Sequence, residues 1–382
     1  MENILISGFS LNDNNRGTAA LGFGSITFLQ LNYGLSPAKE LVNIEVYRDC
    51  LHRENCHDKV ETININGQQW TYHHVKVFWP IYQFAKRLGL LLPFTKMRRI
   101  IKNMKYVAAI NGGDGFSDIY GTPLFYSRLP DTLLAMKLNI PVILLPQTIG
   151  PFSVKGNYDL AKRILLYSKD VYVRDEKYIA ELDTMGVKFE LAKDLSFYMQ
   201  PEPWDIDIKE GAIGLNISGL AYSNGFKTLA GQFDKYKYLC RSIVKYFQKR
   251  GNTIYLIPHS YRYGDNPNPN NDDIVASRDF YNKLENKEGV VLLDKDLISP
   301  KTKYVISKMS FFIGTRMHAN FAAIYTHVPV FGLAYSYKFK GAFDANGLDG
   351  DVQTAMINNI TKEQADVIVT KIATYYNMTL NN

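Results

Sequence analysis

The residue types best suited to chemistry occur together in the segment Thr315-Arg316-Met317-His318. The apolar run Phe311–Gly314 before it predicts a buried strand, and the residues after it predict a helix. A strand end that meets a helix start is an anion site, because the first amide groups of the helix point outwards and its dipole favours negative charge. Arg316 can hold a carboxylate or phosphate through two parallel hydrogen bonds, and His318 can donate a proton near neutral pH. The segment therefore predicts an anion site with a proton donor, and a structural histidine in a loop is the alternative.

Polar residues follow three other predicted strands. They are Asn111-Gly112-Gly113-Asp114-Gly115 with Asp118, then Gln147-Thr148-Ile149-Gly150-Pro151, and finally Arg174-Asp175-Glu176. Because ligands of open α/β sheets bind beyond the carboxyl ends of the strands, these side chains are candidates for binding. The glycines allow close approach of the backbone, and the Asn and Asp side chains can hydrogen-bond to sugar hydroxyls. Arg174 can hold an anion or pair with an internal acid, and each segment also fits an ordinary structural turn.

Two later strand ends and one loop complete the candidates. His259 and Asp194 each follow a predicted strand, where a substrate can be reached. The loop Asp265–Asp273 is rich in Asp, Asn and Pro and predicts a solvated loop, with a mobile lid or a cation site as alternatives. The cluster Cys50, His52, Cys56 and His57 has a spacing that matches no standard zinc pattern, so we expect no metal.

The elements that must position these residues alternate between strands and helices. Strands are predicted at Ile4–Ser7, Val42–Tyr47, Val107–Asn111, Val142–Pro146, Asp170–Val173, Val187–Leu191, Ala212–Ile217, Thr253–Pro258, Val290–Leu293, Phe311–Gly314 and Val330–Ala334, and helices at Thr18–Leu31, Pro123–Leu138, Tyr158–Lys169, Tyr236–Lys249, Ile274–Leu284, Ala319–Tyr325 and Lys362–Tyr376. This alternation in both halves predicts two doubly wound α/β domains. The Pro-containing segment Met199–Asp207 is the predicted boundary, which gives domains 1–200 and 205–382.

Composition and length exclude several classes of protein. With 382 residues, of which 46% are hydrophobic and 21% charged, the chain is too long for one ordinary core and too apolar for a disordered chain. Three cysteines fit a reducing compartment, and the N-terminus lacks the pattern of a signal peptide. No apolar run approaches the roughly 20 residues of a membrane span. We therefore expect a cytoplasmic protein.

The net charge of +7 is concentrated in one region. Between Glu61 and Asp114 there is no acidic residue but eight basic ones, namely Lys76, Lys86, Arg87, Lys96, Arg98, Arg99, Lys102 and Lys105. They are mixed with aromatic and aliphatic residues, so the segment 75–105 fits a patch for an anionic membrane surface. A helical pair with a solvated basic face is the alternative. A nucleic-acid partner is not predicted, because no recognition motif accompanies the charge.

Five of these segments occur in the order found in a known family. They are Gly112-Gly113-Asp114-Gly115, Gln147-Thr148-Ile149-Gly150-Pro151, Val173-Arg174-Asp175-Glu176, Asp194-x-Ser196-Phe197 and Gly314-Thr315-Arg316-Met317-His318-Ala319. On these segments the chain resembles the polysaccharide pyruvyl transferases, from Asn14 to about Gly341. It departs from the family where Asp114 replaces a third consecutive glycine. The resemblance implies a GT-B-like fold, with two Rossmann-like, doubly wound parallel-sheet domains that face each other across a cleft.

The resemblance also implies an activity. The donor would be phosphoenolpyruvate, and the acceptor would be two hydroxyls of a hexose in an exopolysaccharide or capsule repeat unit. Galactose and a 4,6-ketal are the expected acceptor and product, with the acceptor carried on a polyprenyl diphosphate lipid. The resemblance implies no cofactor, since phosphoenolpyruvate would be a co-substrate, and the reaction demands no metal. An enzyme of this kind would lie peripherally on the inner face of the plasma membrane, and a homo-oligomer remains an open alternative.

The roles expected from the resemblance divide the candidates into two groups. Arg174, Thr315, Arg316, Met317 and His318 would bind phosphoenolpyruvate, with His318 as the general acid and the two arginines as catalytic cations. The residues expected to bind the acceptor are Asn111, Asp114, Asp118, Gln147, Asp194 and His259. A nucleotide-sugar-dependent GT-B glycosyltransferase is the first alternative. A glycan-binding protein without catalytic activity is the second.

Overall fold

The computed structural model describes residues 3–8, 10–47, 57–78, 80, 95–264 and 266–380. The chain divides into two units. The first comprises Met1–Ser10 and Leu21–Met199, and the second comprises Leu11–Ala20 and Gln200–Asn382. The main division thus falls at the start of the Pro-containing segment Met199–Asp207, and only Leu11–Ala20 departs from a simple two-part chain.

Arg16 explains why Leu11–Ala20 belongs to the second unit. Its Nε donates to the carbonyl oxygen of Leu297 at 2.7 Å, and its Nη2 pairs with Asp296 at 2.6 Å. Ser299 Oγ donates to the Arg16 carbonyl oxygen at 2.7 Å. The predicted boundaries placed this segment in the first domain, because such long-range bonds leave no local trace in the sequence.

The first unit is built on one mixed sheet. Its strands are β1 Asn3–Ser7, β2 Leu41–Tyr47, β3 Lys59–Ile65, β4 Gln68–Phe78, β5 Met104–Ala109, β6 Val142–Gln147, β7 Asp170–Val173 and β8 Glu190–Leu191. The order is β3-β4-β2-β1-β5-β6-β7-β8, and every neighbouring pair is parallel except β3 with β4. The central strands are buried on both faces, which is why they read as continuous apolar runs in the sequence.

Helices cover both faces of this sheet. They are α1 Arg16–Tyr33, whose first residues belong to the second unit, α2 Lys96–Lys102, α3 Thr122–Ser127, α4 Pro130–Lys137, α5 Lys155–Tyr167, α6 Ile179–Met185 and α7 Leu195–Tyr198. The predicted helix Pro123–Leu138 is in fact two helices, because Pro130 starts a new one. Fully buried Leu134, Leu144 and Ile164 contribute to the core, at about 1.5–3 kcal/mol for each side chain.

The hairpin β3–β4 was not predicted. Its turn is Asn66-Gly67, with both residues at positive φ, a combination typical of two-residue hairpins. Strand β4 extends to Phe78, so the first residues of the basic segment 75–105 form a strand and the helical pair predicted as the alternative is wrong there. Lys76 pairs with Glu45, and Lys96 pairs with Asp58. The rest of that interpretation rests largely on residues 79 and 81–94, which lie outside the described residues, as do Cys50, His52 and Cys56.

The second unit is built on a parallel sheet. Its strands are β9 Ile213–Asn216, β10 Ile254–Leu256, β11 Val290–Leu292, β12 Phe311–Gly314, β13 Val330–Ala334 and β14 Thr354–Met356, in the order β11-β10-β9-β12-β13-β14. The helices are α8 Gly219–Ser223, α9 Tyr236–Lys249, α10 Asp273–Asn282, α11 Ser299–Ser307, α12 Met317–Ile324, α13 Lys338–Asp344, α14 Gly350–Gln353 and α15 Lys362–Leu380. Both units thus have the predicted doubly wound α/β architecture. Within the described ranges, no helix combines the length and the apolar character needed to cross a bilayer.

Candidate functional site

Helix α12 places the predicted anion-binding segment at the end of β12. The helix begins at Met317, two residues earlier than predicted, with Arg316 as its N-cap, so His318 lies in the first turn. Asn320 Nδ2 donates to the carbonyl oxygens of Gly314 and Arg316 at 3.1 and 3.2 Å and so fixes the junction. The side chain of Thr315 is fully buried, and its Oγ1 shares a hydrogen bond of 2.7 Å with the hydroxyl of Tyr236.

Arg316 is held by an internal carboxylate. Its Nη2 donates to Asp273 Oδ1 at 2.7 Å and to the carbonyl oxygen of Asn271 at 2.8 Å, and its Nε donates to Asp273 Oδ1 at 3.1 Å. Burial lowers the pKa of Arg316, but the negative charge of Asp273 outweighs it and raises the pKa above the usual value. Among the described residues the remaining nitrogen, Nη1, has no hydrogen-bond partner. The guanidinium is therefore fixed in place with one nitrogen left over for a ligand.

Asp273 joins the ends of three neighbouring strands. Besides Arg316, which follows β12, it accepts hydrogen bonds from Asn216 Nδ2 at 3.1 Å and the Gly219 amide at 2.8 Å, which end and follow β9. It also accepts from the amides of His259 and Ser260, which follow β10, at 3.1 and 3.0 Å. The side chain is fully buried, so the prediction of a solvated loop is wrong at its end. Asp273 carries no local signal beyond its place behind Asp272, the N-cap of α10.

Two histidines lie near Arg316. His259 is 4% exposed, and burial together with the positive charges of His318, Arg316 and Arg16 lowers its pKa well below the usual value. It is therefore a neutral imidazole at pH 7. The ring of His318 packs on Gly17, where an added Cβ would stand 2.6 Å from the ring atoms Cγ and Nδ1. The second unit thus brings together Thr315, Arg316, Met317, His318 and His259, all of which the sequence singled out.

In the first unit, Arg174 follows β7 and also pairs with a buried aspartate. Its Nη1 donates to Asp194 Oδ2 at 2.6 Å, and its Nε donates to Thr148 Oγ1 at 3.1 Å. Burial lowers the pKa of Arg174, while the charges of Asp194, Asp114 and Asp175 raise it, and the net effect is a raised pKa. The internal acid considered from the sequence is therefore present. Binding of the donor by Arg174, and of the acceptor by Asp194, stay predictions.

The glycine-rich turn lies against Arg174. Asn111, Gly112 and Gly113 have φ values of 52°, 71° and 86°, a left-handed run that glycine adopts without strain. An added Cβ on Gly113 would stand 3.1 Å from Arg174 Nη1. Asn111 is fully buried, with its Nδ2 3.3 Å from Gln147 Oε1, and Gln147 Nε2 donates to two backbone carbonyls at 3.0 Å. These two predicted acceptor ligands are thus engaged inside the unit.

Asp118 and Asp114 have different surroundings. Asp118 accepts hydrogen bonds from the amides of Ser153 and Val154 and from Asn157 Nδ2, at 2.8, 3.0 and 3.0 Å, at the start of α5. Burial raises its pKa, but these bonds outweigh it and lower the pKa. Asp114 accepts from the hydroxyl of Tyr120 at 2.7 Å, and Tyr120 is 52% exposed. Asp114 therefore lies beside an exposed aromatic ring.

Arg128 was missed by the sequence analysis. It caps the end of α3 and donates from Nη1 to the Asn111 carbonyl oxygen. An added Cβ on Gly115 would overlap its guanidinium, and one on Gly112 would stand 2.8 Å from Nη1, so the two glycines make room for Arg128. In contrast to Arg174 and Arg316, it has no acidic partner in the part of the chain that the structure describes. The only sequence signal was the glycine pattern itself.

Comparison with known proteins places the chain in a family and a fold. Residues 45–337 match the family model described as polysaccharide pyruvyl transferase. The structure is similar to UDP-GlcNAc 2-epimerase from Methanocaldococcus jannaschii, at 11% identity and a TM-score of 0.56, over 100% of this chain and 93% of that one. It is also similar to the UDP-GlcNAc 2-epimerase from Neisseria meningitidis, at 12% identity and a TM-score of 0.51, over 99% and 94%.

A third similar structure is a putative UDP-N-acetylglucosamine 2-epimerase from Listeria monocytogenes, at 8% identity and a TM-score of 0.56, over 99% of this chain and 91% of that one. Identities this low show the fold alone, which is GT-B-like as predicted. A search of curated proteins finds no match. Since the family model covers most of the sequence, the chain belongs to the polysaccharide pyruvyl transferase family and is a transferase that acts on polysaccharide.

Proposed function

We propose that the protein transfers pyruvate from phosphoenolpyruvate to two hydroxyls of a hexose, most simply O4 and O6 of galactose, and releases phosphate. The acceptor is a repeat unit of an exopolysaccharide or capsule, carried on a polyprenyl diphosphate. The observation that carries the proposal is the pair Arg316 and His318 at the start of α12, inside the residues matched by the family.

The donor is an anion with a carboxylate and a phosphate, and the second unit offers matching groups. Arg316 Nη1 is available while Asp273 fixes the rest of the guanidinium, so little ordering is required on binding. The first turn of α12, with Met317 and the buried Thr315 beside it, adds the positive end of a helix dipole. Preorganised positive charge next to a leaving phosphate is the kind of stabilisation that contributes most to such reactions.

The reaction needs an acid for carbon and a place for two hydroxyl protons. His318 donates a proton to the methylene carbon of phosphoenolpyruvate, and C2 becomes an oxocarbenium-like electrophile. The first hydroxyl bonds to C2 and returns its proton to His318. The C2–O bond to phosphate then breaks with its electron pair, the second hydroxyl closes the ketal, and its proton leaves with the phosphate. Neutral His259 can accept a hydrogen bond from a hydroxyl in this unit.

The first unit provides groups that suit a sugar. The exposed ring of Tyr120 stands beside Asp114, and Arg128 lies on the glycine-rich turn that begins at Gly112. Aromatic rings stack on the apolar face of a sugar, and carboxylate and guanidinium groups bind its hydroxyls. We assign the acceptor contacts of this unit to these side chains.

Phosphate release from phosphoenolpyruvate with a panel of galactosides tests the proposal. His318→Asn should lower acceptor-dependent release by about 10²–10⁴-fold, the usual contribution of a general acid. His327→Asn is the matched control, because His327 is exposed and follows the same helix; it should leave release within about twofold. Equal rates in the two variants would refute the role of His318. Thermal stabilisation by nucleotide sugars but not by phosphoenolpyruvate would favour a glycosyltransferase instead.

Attachment to an anionic membrane surface through 75–105 is a separate part of the proposal. Lys76 and Lys96 already have internal partners, so the charges that carry it include Arg98, Arg99 and Lys102 of α2. Neutralising these three should release the protein from vesicles rich in phosphatidylglycerol in a co-sedimentation assay. Unchanged co-sedimentation would refute membrane attachment by this segment.

A further inference from the structure

A basic cavity that is open to solvent lies at the N-terminal end of α9 in the second unit. Its volume is about 410 Å³, and it is lined by Asp234, Lys235, Lys237, Tyr238, Arg241 and Lys362. The four basic groups and one carboxylate leave three net positive charges around one concave space. None of the roles assigned above uses any of these side chains.

The basic groups of this cavity are only partly neutralised by the protein, since Glu363 interacts electrostatically with Lys362 and Lys235, and Asp279 with Lys237. Among the described residues, none of the four has a carboxylate within ion-pair distance, whereas other surface cations do, such as Arg278 with Asp294 at 2.6 Å and Lys283 with Asp279 at 2.9 Å. Asp234 instead accepts from Asn224 Nδ2 at 2.7 Å. Like charges held this close repel one another, and a bound anion would relieve the repulsion.

The framework of the cavity is fixed by the core beneath it. Helix α9 is amphipathic, with Leu239, Cys240 and Ile243 buried. Tyr238 Oη donates to Asp366 Oδ1 at 2.7 Å, which fixes one wall. Tyr236, which stands between the two lysines of the first turn, is fully buried; its hydroxyl bonds to Thr315 Oγ1 at 2.7 Å and accepts from the Ser218 amide at 3.1 Å. Lys237 and Arg241 are therefore presented from a helix that is bonded directly to the segment holding Arg316, whereas Lys362 is contributed by the start of α15.

We propose that this cavity binds a ligand with two phosphoryl groups, of the diphosphate class. A phosphate monoester carries about −1.5 to −2 charges at pH 7, so one phosphate leaves the three positive charges only partly neutralised and two match them better. The diphosphate can belong to a lipid or to a free anion. If the diphosphate belongs to a lipid, it is the diphosphate that carries the acceptor, and this identification rests on the proposed function. Binding of a free diphosphate anion does not depend on the proposed function.

Titration calorimetry of the full chain with inorganic diphosphate tests the site. Wild type should show saturable binding, and Lys237→Gln/Arg241→Gln should weaken it by about tenfold or more, as expected for losing two charge-assisted contacts. The matched control is Lys245→Gln/Lys249→Gln, which removes the same charge from exposed positions further along the same helix, outside the cavity. It should change the dissociation constant by less than about twofold to threefold.

Two outcomes of the calorimetry would overturn the proposal. Equal weakening by both double variants would mean that the whole basic face of α9 attracts anions, as a membrane or a polyanion would require. Loss of diphosphate binding in Arg316→Gln would mean that the anion occupies the donor site. Saturable binding that survives Arg316→Gln but not Lys237→Gln/Arg241→Gln supports it.

Vesicle co-sedimentation then distinguishes the two sources of the diphosphate. Phosphatidylcholine vesicles with polyprenyl diphosphate are compared with vesicles that contain phosphatidylglycerol at equal charge. If the protein is retained only on the polyprenyl diphosphate vesicles, and Lys237→Gln/Arg241→Gln abolishes this retention, the ligand is a lipid diphosphate. If the protein binds free diphosphate but is not retained on these vesicles, the ligand is a soluble anion. Absence of both overturns the proposal. Pyruvyl transfer to a lipid-free galactoside should be unchanged in the cavity variant, so this failure is distinguishable from failure of the proposed function.

Discussion

The two units each contain an arginine that follows a strand and pairs with a buried aspartate, but the aspartates have different surroundings. Asp273 binds groups that lie 13 to 57 positions away in the chain, and so holds the ends of β9, β10 and β12 together around Arg316. Asp194 caps α7 and accepts from the amide and hydroxyl of Ser196, two residues away. In the second unit the carboxylate organises the site, whereas in the first it neutralises Arg174 and ends a local turn.

This difference teaches where each site is vulnerable. Loss of the Asp273 charge removes the partner of Arg316 and an acceptor for loops after three strands. Loss of the Asp194 charge leaves Thr148 Oγ1 on Arg174, with Asp175 Oδ2 3.9 Å from its Nε. Arg128 gives a third case, an arginine beside the glycine-rich turn with no acidic partner among the residues described.

The largest effect is expected for Asp273→Asn. It should lower the free energy of unfolding of the second unit by about 3–5 kcal/mol, because an uncompensated guanidinium remains buried. Asp194→Asn should cost about 1–3 kcal/mol, since Arg174 keeps other polar neighbours. Denaturant unfolding, monitored by hydrogen exchange in each unit, measures both losses of unfolding free energy. Equal losses would contradict the comparison.

A third buried aspartate, Asp131, extends the comparison, because it has no arginine partner among the described residues. Asp131 has Ser7 Oγ as its partner at 2.6 Å, and burial raises its pKa to about 6, which the hydrogen bond from Ser7 only partly offsets. Because the folded-state pKa lies above the unfolded value of 3.8, its contribution to stability is complete below about pH 4 and is lost as the pH rises to about 6.

Asp131→Asn should therefore gain up to about 3 kcal/mol over wild type above pH 6, and should remove this part of the pH dependence. Unfolding free energies measured from pH 4 to 8 check it, with Asp183→Asn as the control, an exposed aspartate on α6. If the unfolding free energy changes between pH 4 and 6 to the same extent in wild type and in Asp131→Asn, the raised pKa of Asp131 is contradicted.

A smaller effect is expected at Gly17. Gly17→Ala places a Cβ against the ring of His318 and should cost about 1–2 kcal/mol of unfolding free energy and lower phosphate release about tenfold. Gly341→Ala, in α13 with nothing within 4 Å of the added Cβ, is the control and should stabilise by up to about 1 kcal/mol. A Gly17→Ala enzyme with unchanged turnover would show that the position of His318 is not critical.

The smallest effect on stability is expected at Arg128. Arg128→Gln should lower the unfolding free energy by about 1 kcal/mol or less, because it removes the hydrogen bond to the Asn111 carbonyl oxygen but leaves no carboxylate of the described residues without its partner. The KM for the acceptor should rise about tenfold with little change in kcat, the signature of lost uniform binding. Arg163→Gln, on the exposed face of α5, is the control for charge in steady-state kinetics. A drop in kcat at constant KM would contradict the assignment of Arg128 to acceptor binding.

Local patterns predicted the fold well where strands are buried on both faces. The strands β7, β12 and β13 have the predicted bounds, because a parallel strand under two layers of helix is a continuous apolar run. The hairpin β3–β4 was missed although Asn66-Gly67 is a typical turn, since its outer strand alternates weakly and lies at the edge. Arg174, Arg316 and His318 were found from their places after strands. Asp273 and Arg128 were not, because their importance lies in partners that are distant in the chain or in a loop of glycines.

The assignment of Leu11–Ala20 to the second unit has a consequence for how the units of such a chain can recombine with those of related proteins in evolution. A single crossover near residue 200 would join a new first half to a second half that has lost the partners of Leu297 and Asp296 and the glycine against His318. A functional hybrid therefore needs two exchanges, with the short early segment inherited together with the distant half. Libraries of chimeric transferases built from this chain should recover active members only when both pieces come from the same parent.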